Sequence, residues 1–316
     1  MTFWVVFHRK VHLFFMLPFF LPMVWFICVM DKDIRKEIIE YLNFECKKHH
    51  IQIVTGNISD HNYDIYLPDL NCCIIIHTIG NFIIEPTTSN KNQFNEVRHE
   101  IKFVNVWEDQ WTFQRDKIVS KFKSLLGVTR RIHGRETELI RIDNRKLIDF
   151  LAINHLNVPI KGKYKFGLIC EKDLVAVMSF SKSREMVRDE VTYNSYELLR
   201  FCNKLNITVV GGFSKLLNHF IKLYDPDDIM TYADADWSDG EYYLNMGFEF
   251  IDKTPAIEFW LNMKTGIREY PHRVLDKYNL PADILYSEKE KSVFLESYGY
   301  YQVFNSGSYK YLLKRK

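Results

Sequence analysis

The sequence predicts an α/β protein with mixed sheets, built as two units in succession. Three observations predict it. Short apolar runs of strand length alternate with segments whose apolar residues recur at helical spacing. Gly, Pro, Asn and Asp punctuate them as turns. A chain of 316 residues, 47% apolar and 26% charged, is long enough to bury two cores and too apolar for wholesale disorder.

The elements follow in order. Residues 11–30 carry no Lys, Arg, Asp or Glu over roughly 20 positions, the length of a membrane span. Arg9 and Lys10 before it would set the N-terminus inside, and no small-x-small cleavage site follows it. A second reading stays open: Met30 begins a normal soluble start, which makes 1–30 an over-extended gene start. Residues 31–48 place Ile34, Ile38, Ile39, Leu42 and Cys46 on one helical face. Strands are predicted at 51–54 and 63–67, the second stopped by Pro68-Asp69. The continuous apolar run 72–76 reads as a strand buried on both faces. A polar loop (86–92) and a helical stretch lead to a strand at 102–107. A helix at 116–126 is closed by Gly127.

The second unit begins near Arg130. It has a strand (138–142), a helix (144–154) and a hairpin of 165–170 with 174–180. A polar loop (181–194) precedes a strand at 197–201. Val209-Val210-Gly211-Gly212 opens a helix over 213–224, followed by a strand at 229–233. A short helix (241–246) ends at Gly247, and a strand at 248–251 closes the core. The last fifty residues mix basic and aromatic side chains. The expected domains are thus 1–30, 31–128, 129–265 and a C-terminal extension, 266–316, packing on the third.

Composition narrows the function. The aromatic share is 15%, with 24 Phe and 18 Tyr, which points to aromatic packing or to surfaces that stack on a partner. Lys and Arg number 42 against 40 Asp and Glu, a formal +2, which excludes a histone-like polycation and leaves room for a local basic face. The six cysteines form no C-x-x-C pair, so neither a zinc ribbon nor a secreted disulfide framework is expected. A reducing cytoplasm is the default, or a membrane anchor if the apolar N-terminal segment is real.

Several strings carry a family resemblance. YDIYLPDLN (63–71), VNVWEDQW (104–111) and the helix before them resemble phage-encoded endonucleases of the homing kind. Their nuclease domain is similar to the very-short-patch repair endonuclease, a PD-(D/E)XK-type fold. NHL (154–156), LLRFCNKLNITVVGGFSKLL (198–217), YADADWSDGEYYLNMGF (232–248) and GYYQVFNSGSYKYLL (299–313) resemble the region that follows the nuclease there. The resemblance implies Mg²⁺-dependent phosphodiester hydrolysis on DNA in a phage host cell. Carboxylates would converge on the metal, and a histidine would move a proton. It implies Asp64 as the metal-ligand aspartate, Glu37 as the helix glutamate and Glu85 as a second metal carboxylate, its register open by one position. Two departures, Ile75 in place of an acid and Asn81-Phe82 in place of Trp-His, leave a degenerate nuclease fold as the competing reading. His77 is the nearby substitute for the lost proton carrier. Glu108 stays open as a projecting carboxylate, Asp109 reads as a helix cap, and Trp107 and Trp111 read as core.

The order of the second unit resembles the GNAT acyltransferase fold. The resemblance implies an acyl-CoA site on backbone N–H groups at the helix opened by Gly211, Gly212 and Ser214. The phosphate-loop signature is half met, with Thr208 and Phe213 at its ends. Arg200, Tyr232, Asp234 and Ser238 fall at strand ends and turns where such a domain places its site. Arg268 and Arg273, with Tyr and His between them, suit a phosphate backbone. The leading expectation is therefore a DNA endonuclease. The alternatives are a GNAT-like acyltransferase or a Mom-like nucleobase-modifying protein on an inactive nuclease fold, and a non-catalytic DNA-binding protein.

Overall fold

A computed structural model describes residues 33–56, 63–78, 101–188, 190–278 and 287–315. The predicted apolar segment, Glu85, Asn81-Phe82 and the loop and helix before residue 101 lie outside them. Among the described residues no helix is long and apolar enough to cross a membrane.

The first helix, α1 (Ile34–Lys48), starts where the Asp33 side chain accepts the Lys36 N–H at 3.0 Å, a standard N-cap. Its Ile34, Ile38, Leu42 and Cys46 face a core shared with a four-stranded sheet. That sheet has the order β1 (Val54–Thr55), β2 (Ile65–Leu67), β3 (Cys72–His77), β4 (Lys102–Trp107). Only β3 and β4 are parallel. The strand expected at 51–54 shrinks to two paired residues, because the Gln52 N–H turns away to the Asp69 carboxylate at 3.0 Å. Helices α2 (Glu108–Phe113) and α3 (Arg115–Leu125) follow β4, and Gly127 ends α3 at φ 73°. Trp111, Ile118 and Phe122 fill the same core. Asp109 does not cap α2: it is buried, and its carboxylate is held elsewhere.

After β5 (Arg130–His133) comes the larger layer, an eight-stranded sheet. Its order is β13 (Glu249–Lys253), β17 (Ser308–Lys314), β12 (Asp228–Asp234), β10 (Val191–Asn203), β8 (Asp173–Phe180), β7 (Tyr164–Cys170), β6 (Glu138–Arg141), with β9 (Arg184–Arg188) also on β10. Within it β10 and β12 are parallel and every other pairing is antiparallel. The hairpin β7–β8 turns on Glu171 and Lys172, both at positive φ, the twist that suits a two-residue hairpin. The expected polar loop at 181–194 is instead the β9–β10 hairpin, turning at Glu190 with φ 65°.

Helix α4 (Asn144–Asn154), capped by Asp143, covers one face of this sheet. Helix α5 (Gly212–Tyr224), which follows β11 (Ile207–Val210), covers the other with Phe213, Leu216, Leu217 and Phe220. The strand expected to close the core at 248–251 is the edge strand β13, with Phe250 and Ile251 exposed. Closure comes from β17, which lies between β12 and β13. A third sheet, β15 (Ile267–Glu269), β14 (Glu258–Asn262), β16 (Tyr300–Phe304), packs with α7 (Pro271–Tyr278) and α8 (Glu288–Ser297).

The two larger sheets meet along the loop 234–240 that leaves β12. The Asn105 N–H donates to the Asp236 carbonyl at 2.7 Å. Trp237 packs on Phe122 at 5.7 Å, and the Lys121 ammonium lies over its ring at 4.8 Å.

Candidate functional site

Two of the three carboxylates expected in the nuclease site, Asp64 and Glu37, lie among the described residues, and each is matched to an arginine. Asp64 pairs with Arg35 at 3.2 Å and accepts the Ile76 N–H at 2.7 Å. Glu37 pairs with Arg115. His77 stacks on Trp107 at 4.3 Å and holds Asn105 through Nε2 at 2.8 Å, and burial lowers its pKa. Among the described residues no group of three or more His, Cys, Asp or Glu side chains is arranged to hold a metal ion. Glu85 lies outside them.

The second unit brings a different set of residues together. Parallel pairing of β10 and β12 runs from Ser195↔Asp228 to Leu198↔Thr231 and stops there. Beyond that point Tyr232, Ala233 and Asp234 pair only with β17, while β10 continues along β8. The strands part, leaving a wedge between them. At the same point β10 carries a bulge: Leu198 faces Phe180 and Arg200 faces Ser179, so Leu199 is an extra residue. Tyr196 and Leu198 point into the core under α5. Strict alternation would send Arg200 after them. The extra residue hands that place to Phe201, whose ring meets Phe213 edge-on at 5.1 Å. Arg200 emerges on the opposite face with Cys202, which packs toward α4.

On the α5 side of the wedge, Gly211 caps the helix at φ 75°, exposed, with nothing within 4 Å of where a Cβ would stand. No side chain caps α5, so the N–H groups of Gly212, Phe213 and Ser214 have no helical acceptor. A Cβ on Gly212 would meet Val209 at 2.8 Å and Leu168 at 3.1 Å, so close packing also requires this glycine. Lys215 is committed elsewhere, donating to the carbonyls of Gly134 and Thr137. The Ser214 hydroxyl rests on the Met246 sulfur at 3.2 Å. Helix α6 (Glu241–Asn245) sets Tyr243 here, 5.8 Å from Phe213 and stacked on Tyr311 at 5.3 Å. Tyr243 is hydrogen-bonded to Thr231, and burial raises its pKa despite that bond.

On the other face lie Arg200, Glu197, Tyr232 and Tyr270. Glu197 approaches Arg184 at 3.9 Å. Arg200 donates through Nη1 to the Leu199 carbonyl at 2.7 Å, its Nε is buried with no acceptor, and burial lowers its pKa. Tyr270, Glu197 and Asp234 are its nearest electrostatic neighbours. Behind it, burial together with the charges of Arg200 and Lys121 brings the His155 imidazole down to about 3.

Arg200, Tyr232 and Asp234 therefore converge as a group. Ser238 accepts the Gly240 N–H at 3.0 Å and shapes the loop. Arg268 is unavailable to a DNA backbone, since the Nε–Nη2 edge of its guanidinium is bound to Asp109 and Nη1 faces the Phe304 carbonyl at 3.5 Å. Arg273 lies over Tyr270 at 5.8 Å. Glu197 and Tyr243 were not singled out in the sequence. The available signal was Arg200 itself, an arginine in an apolar run at a position that alternation assigns to the core.

No protein-family model matches the sequence, and no curated protein matches it. Solved structures do. An HPA2-related histone acetyltransferase from Corynebacterium glutamicum is 12% identical, over 57% of this chain and 97% of that one, with a TM-score of 0.34. A GNAT family acetyltransferase from Elizabethkingia anophelis with acetyl-CoA bound is 9% identical, over 57% and 99%, with a TM-score of 0.31. Eis1 from Mycobacterium abscessus is 11% identical over 39% of this chain, with a TM-score of 0.32, and the chain spans 33% of its length. Asp64 and Glu37 sit in arginine pairs, and no group of three or more His, Cys, Asp or Glu among the described residues is arranged to hold a metal ion. The reading as a Mg²⁺-dependent homing endonuclease is corrected accordingly.

Proposed function

We propose that the protein is a GNAT-like acyltransferase that moves an acyl group from a CoA thioester to an amine. The observation that carries this is the parting of β10 and β12 at Leu198↔Thr231 beside the uncapped N-terminus of α5. A helix start with free N–H groups and an exposed glycine suits a pyrophosphate. The adjoining wedge admits an extended thioester arm between two strands. The strand order, with β17 between β12 and β13, agrees with the same reading.

The thioester supplies an activated carbonyl. As the amine nitrogen forms the new C–N bond, the C–S bond breaks. Glu197, on the Arg200 face of the wedge, is the carboxylate to take the proton that the amine loses. Tyr243, whose raised pKa keeps its hydroxyl protonated at neutral pH, is the group to protonate the departing thiolate.

Acetyl-CoA titrated against the protein, read by thermal shift and calorimetry, tests this. Binding raises the melting temperature with ligand concentration. Ser214→Asp places a negative charge where the pyrophosphate would sit, yet acidic residues in a first turn favour the helix. This variant is expected to keep its stability and lose acetyl-CoA binding. No binding by the folded wild-type protein overturns the reading.

A further inference from the structure

Arg200 has carboxylates near it, Glu197 and Asp234, but among the described residues none bonds its guanidinium. Among the described residues it makes no ion pair. Its one bond is to the carbonyl of the residue before it, and its Nε is buried without an acceptor. The edge of the guanidinium formed by Nε and Nη2 is left free. A buried guanidinium N–H without an acceptor costs stability unless something pairs with it. The β10 bulge places it there: without the extra Leu199, this residue would point into the α5 core.

The surroundings fit a small anionic ligand. Tyr232 and Tyr270 are exposed at 41% and 42%. Arg184 stands 3.9 Å from Glu197, and Arg273 lies over the Tyr270 ring. Glu197 precedes Arg200 by three residues and emerges on the same face, across the bulge. A planar guanidinium edge matches the two oxygens of a carboxylate or a phosphate.

We infer that Arg200 is the anion-recognition residue of the acceptor site, so that the acceptor is a primary amine that also bears a carboxylate or a phosphate group. This rests on the acyl transfer proposed above. The acceptor's anionic group sits on Arg200, its amine faces Glu197, and the acyl carbonyl reaches the amine through the wedge. The bonds made and broken are those of that transfer: the amine proton goes to Glu197 and the thiol leaves.

The test uses the full chain, wild type beside Arg200→Met and Arg200→Lys. Thiol release from acetyl-CoA is measured with β-alanine and O-phosphoethanolamine, and with their uncharged counterparts β-alaninamide and ethanolamine. Separately, acetate and inorganic phosphate are titrated without acetyl-CoA, and the melting temperature is read. An anionic amine is expected to exceed its uncharged counterpart by at least about tenfold in kcat/KM. Arg200→Met is expected to erase that preference by a rise in KM of about 10–100-fold, the worth of a charge-assisted bond. Arg200→Lys keeps the charge, loses the fork and falls between. The two anionic arms distinguish a carboxylate from a phosphate acceptor.

The two readings fail separately. If acetyl-CoA binds but neither anion protects the wild type more than Arg200→Met, and no anionic amine is preferred, the Arg200 inference is overturned and acyl transfer stands. If an anion protects the wild type and not Arg200→Met while acetyl-CoA fails to bind, the anion site stands and the transfer reading falls. Should Arg200→Met unfold, Arg200→Lys decides: unchanged preference and unchanged anion protection overturn the inference.

Discussion

The guanidinium of Arg268 binds both carboxylate oxygens of Asp109, Nε to Oδ2 and Nη2 to Oδ1, each at 2.6 Å, across 159 positions of chain. Both side chains are almost wholly buried. This bond ties β15 to the first turn of α2. It joins the smaller sheet to the four-stranded one, and the Trp107 ring lies 5.4 Å from the guanidinium carbon.

Removing one partner leaves the other charge buried and uncompensated. Asp109→Ala and Arg268→Ala are each expected to lower unfolding free energy by about 3–5 kcal/mol. Replacing both with apolar residues of similar volume should cost much less. Denaturant unfolding of the three variants measures the difference.

Gly266 stands at the turn before β15 at φ 66°, and a Cβ there would lie 2.1 Å from the Phe113 ring. Gly266→Ala thus meets both backbone strain and an aromatic wall on α2. We expect a loss of about 2 kcal/mol or more. Phe113→Ala should relieve the clash but not the strain, so the double variant should recover part of the loss in a double-mutant cycle.

Asp236 is buried beside Asp234, and burial first, then the neighbouring carboxylate, raises it from 3.8 to about 7. Between those values the folded protein holds a proton that the unfolded chain has released. Stability from this group is therefore present below about pH 4 and is lost as pH rises towards 7. Asp236→Asn, which keeps an acceptor for the Ser306 N–H, should flatten this limb of the stability–pH profile. A profile unchanged by the substitution would contradict the assignment.

Glu197 and Tyr243 are assigned opposite proton transfers, so their variants should separate in kinetics. Glu197→Gln is expected to lower kcat by about 10²–10⁴-fold. Tyr243→Phe should lower kcat with acetyl-CoA affinity retained, because it removes the hydroxyl alone and keeps the ring against Phe213 and Tyr311. Steady-state kinetics beside acetyl-CoA titration reads both.

Local chemistry made much of the fold legible. Asp143 and the apolar spacing after it specify α4 over the residues predicted, Asn144–Asn154. Gly211-Gly212 marks the strand-to-helix turn because its backbone needs positive φ and close approach. The β7–β8 hairpin follows from two apolar runs around a polar turn. The expected nuclease site shows where local reading failed. Asp64, Glu37 and His77 have residue types suited to metal and proton chemistry, but their pairings with Arg35, Arg115 and Trp107 are tertiary contacts that no local pattern supplies.

By itself the sequence determined the elements whose causes lie within a few residues: caps, turns, apolar periods and the glycine opening of α5. The tertiary structure alone decided three things: the insertion of β17 between β12 and β13, the Asp109–Arg268 bond, and the face on which Arg200 emerges. Each depends on a partner far away in the chain. A side chain's charge and size are local properties, whereas burial, register and pairing are set by what the rest of the chain brings against it.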